Sequence, residues 1–274
     1  MQRKSVSGYK NHMKVTKLVL PVAGLGLRLR PLTLTTPKNL IPVNGKPLIE
    51  YALKEAVVAG IEEVVLVISP EHAAKYEGYI EEAGKRFPLR FYLRVQEKPF
   101  GHGHALLQAA DILGEEPFAV RFCDDVIINE TPVFPQFLEL FQKYQAPVLF
   151  LQRVPWDQVS RYGVVVSEEA GPRLHLIRGM VEKPAREEAP SNLIILGGYV
   201  LTPDILRKLK ELEPKMRQEN DALLLTDGFA DRFAKKEPVY GWEFPGMRLD
   251  CGTLKGLEKA EELLRARSSA VASN

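Results

Sequence analysis

The sequence predicts an α/β protein with a doubly wound, mostly parallel sheet and a small antiparallel portion. Through residue 155, apolar runs such as 63–69 alternate with amphipathic segments such as 47–60. This alternation is typical of parallel strands covered by helices on both faces. After residue 155 the apolar runs come closer together, which favours antiparallel strands that cover the mouth of the first half.

The individual elements follow from boundary signals and from apolar spacing. The segment 47–60 has proline at its front and glycine at its end, which is the usual asymmetry of helix boundaries. An apolar strand from residue 19 runs into a glycine-rich loop, and 63–69 is a continuous apolar run. Further strands are predicted over 89–95, 117–123, 148–154, 162–166, 174–181, 193–201 and 238–244. Further helices are predicted near 71–84, 102–113, 133–144, 203–211, 221–234 and 255–267.

Composition limits the classes of protein to which the chain can belong. Its 274 residues are 45% hydrophobic and 26% charged, enough for a large core. A net charge of +2 without a dense lysine or arginine run argues against a nucleic-acid surface. Two distant cysteines, Cys123 and Cys251, form neither a disulfide framework nor a metal-ligand spacing. Because there is also no apolar run long enough to span a membrane and no secretory signal, we expect a cytoplasmic protein.

The loop after the first strand has the composition of a phosphate-binding site. Gly24 and Gly26 let the backbone approach a ligand and adopt the positive φ that a nest of N–H groups often needs. Arg28 and Lys38 would supply positive charge to a polyphosphate. A Rossmann fingerprint lacks its third glycine here, and a Walker A loop lacks its Gly-Lys-Ser/Thr ending.

A second loop, over 96–105, follows a strand and opens a helix. The Gln96 amide can pair with a nucleobase imide, and Gly101 allows a base to lie flat on the backbone. Taken alone, such a segment is more often an ordinary strand-to-helix turn. His102 and His104 are expected not to bind metal, since no third ligand is nearby.

Two acidic segments also follow predicted strands. Asp124 and Asp125 end an apolar strand, where carboxylates are unfavourable unless a cation or hydrogen bonds compensate. Consecutive side chains of extended backbone point to opposite sides, so only one of the two should face a site. Asp250 follows another predicted strand and, taken alone, is equally well the N-cap of the terminal helix.

Taken in order, these motifs resemble the sugar-nucleotide pyrophosphorylases, a family of nucleotidyltransferases, over about 15–260. The glycine loop matches G-x-G-[TS]-R-x-x-P-x-T…P-K, with Leu27 in place of Thr or Ser. The Asp-Cys-Gly segment at Asp250 and the Ser-Asn-Leu…Gly-x-Tyr spacing from Ser191 resemble the bacterial UTP–glucose-1-phosphate uridylyltransferases more than their thymidylyltransferase relatives. Two further positions depart from the family pattern: Cys123 replaces Gly or Pro, and Gly198 replaces an arginine.

The resemblance implies a Rossmann-like nucleotide-diphospho-sugar transferase fold and a Mg²⁺-dependent reaction of UTP with glucose-1-phosphate. It places a single domain over 14–267, with a nucleotide-binding half over about 14–155 and a sugar-binding half over 156–267. Residues 1–13 and 268–274 are expected to be tails, and a dimer or tetramer is the expected assembly. A relative that uses dTTP or GTP, and a non-catalytic nucleotide-sugar-binding regulator, stay open as alternatives.

The resemblance also implies a role for each site residue. Catalytic roles fall on Arg28, Lys38 and Lys183, nucleotide contacts on Ala23, Gly24, Gly26, Gln96 and Gly101, sugar contacts on Tyr162, Gly163, Glu182, Lys183, Asn192 and Tyr199, and metal ligation on Asp124 and Asp250. Asp125 is then expected to cap or stabilise the following turn.

Overall fold

The computed structural model describes residues 13–215 and 222–272. Its strands are β1 (Lys17–Pro21), β2 (Pro42–Val43), β3 (Lys46–Pro47), β4 (Glu63–Ile68), β5 (Arg90–Val95), β6 (Phe118–Arg121), β7 (Asp125–Ile128), β8 (Val148–Arg153), β9 (Gly163–Gly171), β10 (Leu174–Glu182), β11 (Leu193–Leu201), β12 (Tyr240–Glu243) and β13 (Met247–Asp250). Its α-helices are α1 (Leu48–Val58), α2 (Ala73–Arg86), α3 (Gly101–Leu107), α4 (Ala110–Leu113), α5 (Val133–Tyr144), α6 (Pro203–Leu212), α7 (Ala230–Ala234) and α8 (Leu254–Ala272). Across these residues no helix is long and apolar enough to cross a membrane.

Nine strands form one sheet in the order β5-β4-β1-β6-β11-β8-β12-β10-β9. Strands β5, β4, β1 and β6 are parallel, while β11 is antiparallel to both of its neighbours, β6 and β8. At the far edge, β10 is antiparallel to β12 and to β9. The α/β fold is therefore confirmed, but the sheet is mixed and not mostly parallel, with four parallel and five antiparallel pairings. The antiparallel strands continue this sheet and do not form a separate cover over its mouth.

Helices cover the sheet on both faces, as the continuous apolar strands predict. Along β1, Leu18 and Leu20 lie in a cluster with Leu53 of α1 and Phe137 of α5. The intervening Val19 lies in a second cluster on the opposite face, with side chains that include Leu106 of α3 and Leu209 of α6. This alternation is the two-residue period of a strand buried on both sides.

A small second sheet joins distant parts of the chain. Strand β7 pairs with β13 in antiparallel register, and Asp125 lies opposite Asp250. Leu249 and Cys251 at the end of β13 pack with Leu257 of α8 in a third apolar cluster. Neither strand of this pair is among the predicted elements.

Three predicted helices differ clearly from the structure. The helix predicted over 102–113 is divided into α3 and α4. The helix predicted over 221–234 begins at a residue outside the described ones. The rest of its first half is wrong, because 222–224 lacks regular structure and a 3-10 turn (Leu225–Phe229) precedes α7. The terminal helix continues to Ala272, so 268–272 is helical instead of a tail, whereas 1–12 and 273–274 lie outside the described residues.

Candidate active site

Two adjoining cavities open at the carboxyl ends of β1, β5 and β6, where an open α/β sheet usually binds ligands. After the contacts that the sequence resemblance implies, we call them the nucleotide cavity, of about 520 Å³, and the sugar cavity, of about 530 Å³. Both are lined by Arg28, His102, Phe122 and Asp124, so these four residues mark where the cavities meet.

The glycine loop forms one wall of the nucleotide cavity, to which Ala23, Gly24, Gly26, Arg28 and Lys38 all contribute. Gly26 has a φ of +62°, and a Cβ there would lie 2.8 Å from Thr33 Cγ2 and 3.1 Å from Lys38 Cβ. No other residue fits this position without displacing its neighbours.

Gln96 and Gly101 lie on the same cavity, as predicted for base contacts. Gly101 has a φ of +92°, and a Cβ there would lie 2.5 Å from the peptide oxygen of Leu223. That peptide oxygen accepts the Gly103 N–H over 2.9 Å, and the Leu223 N–H donates to Phe100 O over 2.8 Å. These bonds hold 222–224 against the start of α3, which is why the predicted helix does not form there.

The two predicted metal ligands, Asp124 and Asp250, are brought together around Gly252. A Cβ built on Gly252 would lie 2.9 Å from Asp250 Oδ1, 3.0 Å from Arg28 Nη2 and 3.3 Å from Asp124 Oδ2. The peptide N–H of Gly252 donates to Asp250 Oδ1 over 2.9 Å. Glycine therefore keeps open the space that the two carboxylates and the guanidinium surround.

Electrostatics at this point centre on Asp124. Lys38 Nζ forms a close ion pair with Asp124 Oδ2. Burial acts to raise the pKa of Asp124, but the Lys38 ammonium outweighs it and holds that pKa below its usual value. Asp124 is therefore an anion at neutral pH, as a metal ligand must be.

The oxygen donors suit a hard divalent cation. Among the residues that the structure describes, no three acidic, histidine or cysteine side chains are grouped to hold a metal. A site of two carboxylates nevertheless matches the usual coordination of Mg²⁺ in proteins. The ion binds one or two carboxylates, and substrate phosphates and water complete its coordination shell.

A buried ion pair in the wall of the sugar cavity, between Asp125 and Arg248, has no counterpart among the predicted roles. Asp125 does not cap a turn: its carboxylate accepts the Gly197 N–H over 2.9 Å and Arg248 Nε–H over 2.6 Å. Arg248 also lies 3.4 Å from Asp250 Oδ2 and 3.4 Å from the Tyr162 hydroxyl. Arg248 thus connects β11, β13 and the sugar cavity. Its position two residues before Asp250 was the one signal in the sequence that could have identified it as a site residue.

The sugar cavity contains five of the six residues predicted for sugar contacts. These are Tyr162, Gly163, Glu182, Lys183 and Tyr199. Lys183 has a φ of +44°, its peptide N–H donates to Tyr162 O over 3.1 Å, and its ammonium lies 3.3 Å from Glu182 Oε1.

Asn192 is the exception, since it lines neither of the two cavities. Its amide donates to Val154 O over 3.0 Å, and its Oδ1 lies 3.4 Å from Arg153 Nη1. Asn192 therefore joins the end of β8 to the chain entering β11, and its predicted sugar contact stays a prediction.

The residues that depart from the family pattern lie in three different environments, and Cys251 is described here with Cys123. Cys123 and Cys251 are both buried, and burial raises the pKa of each thiol to about 12, so both stay protonated. Leu27 is 58% exposed and lines the nucleotide cavity. Gly198 packs flat against Phe150, and a side chain at this position would overlap the ring.

Comparisons with known proteins identify the family to which the chain belongs. Residues 17–267 match the family described as Nucleotidyl transferase. The UTP–glucose-1-phosphate uridylyltransferase of Mycoplasma pneumoniae is 35% identical, over 94% of this chain and 95% of that protein, and the enzyme of that name from Pseudomonas aeruginosa is 36% identical, over 90% and 94%. A crystal structure of UDP-glucose pyrophosphorylase complexed with UDP-glucose superposes with a TM-score of 0.83 at 35% identity, covering 92% of this chain and 99% of that one. The chain therefore belongs to the nucleotidyl transferase family.

Proposed function

We propose that this protein is a UTP–glucose-1-phosphate uridylyltransferase, which forms UDP-glucose and pyrophosphate. The observation that carries the proposal is the meeting of Asp124, Asp250 and Arg28 around Gly252, where the nucleotide and sugar cavities join. Two anionic substrates repel each other, so a transfer between them requires that their charge be neutralised where they meet, which is at that junction. The uridylyltransferase relatives, at 35% and 36% identity over nearly the whole chain, support the choice of UTP and glucose-1-phosphate.

In the proposed reaction, a phosphate oxygen of glucose-1-phosphate attacks the α-phosphorus of UTP. One P–O bond forms, the bond from the α-phosphorus to the bridging oxygen breaks, and pyrophosphate leaves with that electron pair. The nucleophile is already an anion, so no general base is required. Alignment and charge neutralisation then account for the rate enhancement.

The side chains have separate roles in this scheme. Arg28 and Lys38 bind the triphosphate from the glycine loop, and Lys183 binds the phosphate of the sugar substrate from the sugar cavity. Glu182, which lies 3.3 Å from the Lys183 ammonium, accepts hydrogen bonds from sugar hydroxyls. Gln96 and Gly101 contact the base.

Asp124 and Asp250 would hold Mg²⁺, and the bound cation would neutralise charge that builds up on the phosphates. The Asp124 carboxylate is kept ionised by Lys38, and Asp250 is oriented by the Gly252 N–H and by Arg248. The ligands are thus preformed by contacts within the chain.

Location and assembly complete the proposal. Two buried free cysteines are consistent with a reducing cytoplasm. The resemblance of the motifs to a family of dimers and tetramers supports a homo-oligomer, and light scattering coupled to gel filtration would measure it.

Pyrophosphate release tests the reaction directly. The purified protein is supplied with glucose-1-phosphate and, in parallel, with UTP, dTTP, CTP, GTP or ATP, with Mg²⁺ or with EDTA. We expect release with UTP that EDTA abolishes. Preference for dTTP or GTP would move the assignment within the family, and thermal stabilisation by UDP-glucose without any release would favour a binding protein.

A further inference from the structure

The buried carboxamide of Gln96 has both of its N–H groups engaged by the protein. Gln96 is only 6% exposed and lines the nucleotide cavity. Its Nε2 donates to the peptide oxygen of Gly101 over 3.0 Å and lies 3.0 Å from His104 Nδ1. Since a peptide oxygen can only accept, the nitrogen end of the carboxamide must face Gly101 and His104.

These contacts also determine the tautomer of His104. Because Gln96 Nε2 is a donor, His104 Nδ1 must accept, and the ring proton lies on Nε2. The Glu213 carboxylate, 3.6 Å from Nε2, favours the ring proton at that nitrogen. Gln108 Nε2 also lies 3.2 Å from His104 Nε2, but it donates to the peptide oxygen of His104 over 3.2 Å and needs no acceptor on the ring. Burial lowers the pKa of His104 below its usual value of 6.5, so the ring is neutral at neutral pH and keeps its accepting nitrogen.

A primary carboxamide has two N–H donors and one carbonyl oxygen. With one N–H bound to Gly101 O and the other to His104 Nδ1, Gln96 offers the cavity only its Oε1, which accepts. Uracil and thymine carry a ring N–H at position 3 that such an oxygen can bind. Cytosine carries a lone pair at that position, which would face the lone pairs of Oε1.

We propose that His104 is a positioning residue for base selection. Because it accepts the second N–H of Gln96, only the carbonyl oxygen of that carboxamide is left for the base, and the site accepts uracil and rejects cytosine. The inference rests on the proposed function, because it places the nucleobase of the substrate at Gln96. His104 itself needs no contact with the substrate. Without its Nδ1, Gln96 is held by one bond, and its carboxamide can turn to present an N–H to the ring nitrogen of cytosine.

The test compares two kinds of substitution at position 104. His104→Phe keeps a ring of similar size but has no acceptor, and His104→Leu is a second variant without one. His104→Asn places an amide oxygen close to where Nδ1 lies and restores the acceptor. For each protein, kcat/KM is measured with UTP and with CTP, and circular dichroism checks folding.

We expect the UTP-to-CTP ratio of kcat/KM to fall about tenfold or more in His104→Phe and His104→Leu, the effect of one misplaced hydrogen bond. His104→Asn should stay within about threefold of the wild-type ratio. A ratio is insensitive to the fraction of active protein, so a general loss of stability would not produce this pattern. A wild-type ratio in the folded acceptor-free variants, or a His104→Asn protein as impaired as His104→Phe, would overturn the inference.

Equilibrium binding separates this inference from the proposed function. Calorimetric titration with UTP and with CTP, in the absence of glucose-1-phosphate, measures base preference without turnover. If the wild type prefers UTP and the preference depends on His104 while no UDP-glucose forms, the inference stands and the proposed reaction is wrong. If UDP-glucose forms and the preference ignores position 104, the reaction stands and the inference is wrong; a wild type without preference for UTP over CTP also refutes the inference.

Discussion

The peptide N–H of Cys251 donates to the peptide oxygen of Asp124 over 2.8 Å. This bond lies at the end of the β7–β13 pair and joins two acidic segments that are far apart in sequence. The backbone itself, and not only the side chains, therefore places Asp250 beside Asp124. An aspartate pair held in this way is pre-organised for a cation and needs little rearrangement when substrate binds.

Replacing either aspartate should remove turnover while leaving the fold intact. In Asp250→Asn and Asp124→Asn the amide keeps the shape of the side chain but loses the negative charge that a cation needs. We expect kcat to fall at least about a hundredfold, with a higher Mg²⁺ requirement in any residual activity. Mg²⁺ titrations of pyrophosphate release measure this. Asp111→Asn, at an exposed aspartate paired with Arg94, is the matched control and should behave as wild type.

Lys38 should affect both rate and pH dependence. Lys38→Ala removes a cation from the triphosphate and frees Asp124 from the ammonium that lowers its pKa. We expect kcat/KM for UTP to fall about a hundredfold and the acidic limb of the pH–rate profile to move to higher pH, because burial then raises the Asp124 pKa with less opposition. Lys85→Ala, at an exposed lysine of α2, serves as the control. Near-normal turnover of the Lys38→Ala protein would contradict the assignment.

Restoring the hydroxyl at position 27 should improve triphosphate binding. Leu27 is exposed on the wall of the nucleotide cavity, where the family pattern has Thr or Ser. In Leu27→Thr, a new hydrogen bond to a charged phosphate should raise kcat/KM for UTP about tenfold. Leu34→Thr provides a comparison, since Leu34 is 64% exposed and does not line this cavity. Equal kinetics in the two variants would show that Leu27 does not replace a phosphate contact.

Gly198 should not tolerate a side chain. In Gly198→Ala the new methyl group would overlap the Phe150 ring in the buried centre of the sheet, which should destabilise the fold by about 1–3 kcal/mol. Gly84→Ala is the control, because a Cβ there meets no atom within 4 Å and glycine is unfavourable inside helix α2. Denaturant titrations of both variants give the two free energies of unfolding. A Gly198→Ala protein as stable as wild type would mean that Phe150 moves aside easily.

Acid should destabilise the protein through His102. Its Nδ1 accepts the Leu225 N–H over 2.8 Å, and burial lowers its pKa below 6.5. His102 of the unfolded chain therefore binds a proton near pH 6.5, whereas His102 of the folded chain stays neutral at that pH. The free energy of unfolding falls as the pH drops below 6.5, because the unfolded state then binds more protons. Melting temperatures at a series of pH values above and below 6.5 measure the effect. His102→Leu should show a smaller loss over this range, and an unchanged pH dependence would exclude His102 as its source.

Much of the fold was predictable because its signals are local. The predicted strand 193–201 coincides with β11, where nine consecutive residues are buried and the apolar run leaves no other interpretation. The helices α1 and α5 likewise begin and end within two residues of prediction, since proline and apolar spacing mark them. Strands β7 and β13 were not predictable, because each has four residues and its partner lies more than a hundred residues away.

Side-chain placement depended on tertiary contacts in the same way. Asn192 carries the same amide whether it faces a sugar or the backbone, and only the approach of β8 assigns it to Val154. The segment 222–224 has the composition of a helix, yet the hydrogen bonds of Leu223 to Phe100 and Gly103 hold it out of one.

Local signals in the sequence were enough to predict most of the strands and helices, the glycine loop with its two cations, and the family, because these depend on residues near one another in the chain. The roles of the two adjacent carboxylates, in contrast, depend on the folded chain. Asp124 pairs with Lys38 and lines both cavities, whereas Asp125 lines the sugar cavity alone and is bound by Arg248 and Gly197. Alternation along extended backbone says only that the two carboxylates point apart. Which of the two is bound by Arg248 and Gly197 depends on where those residues lie, and only the folded sheet brings them to Asp125.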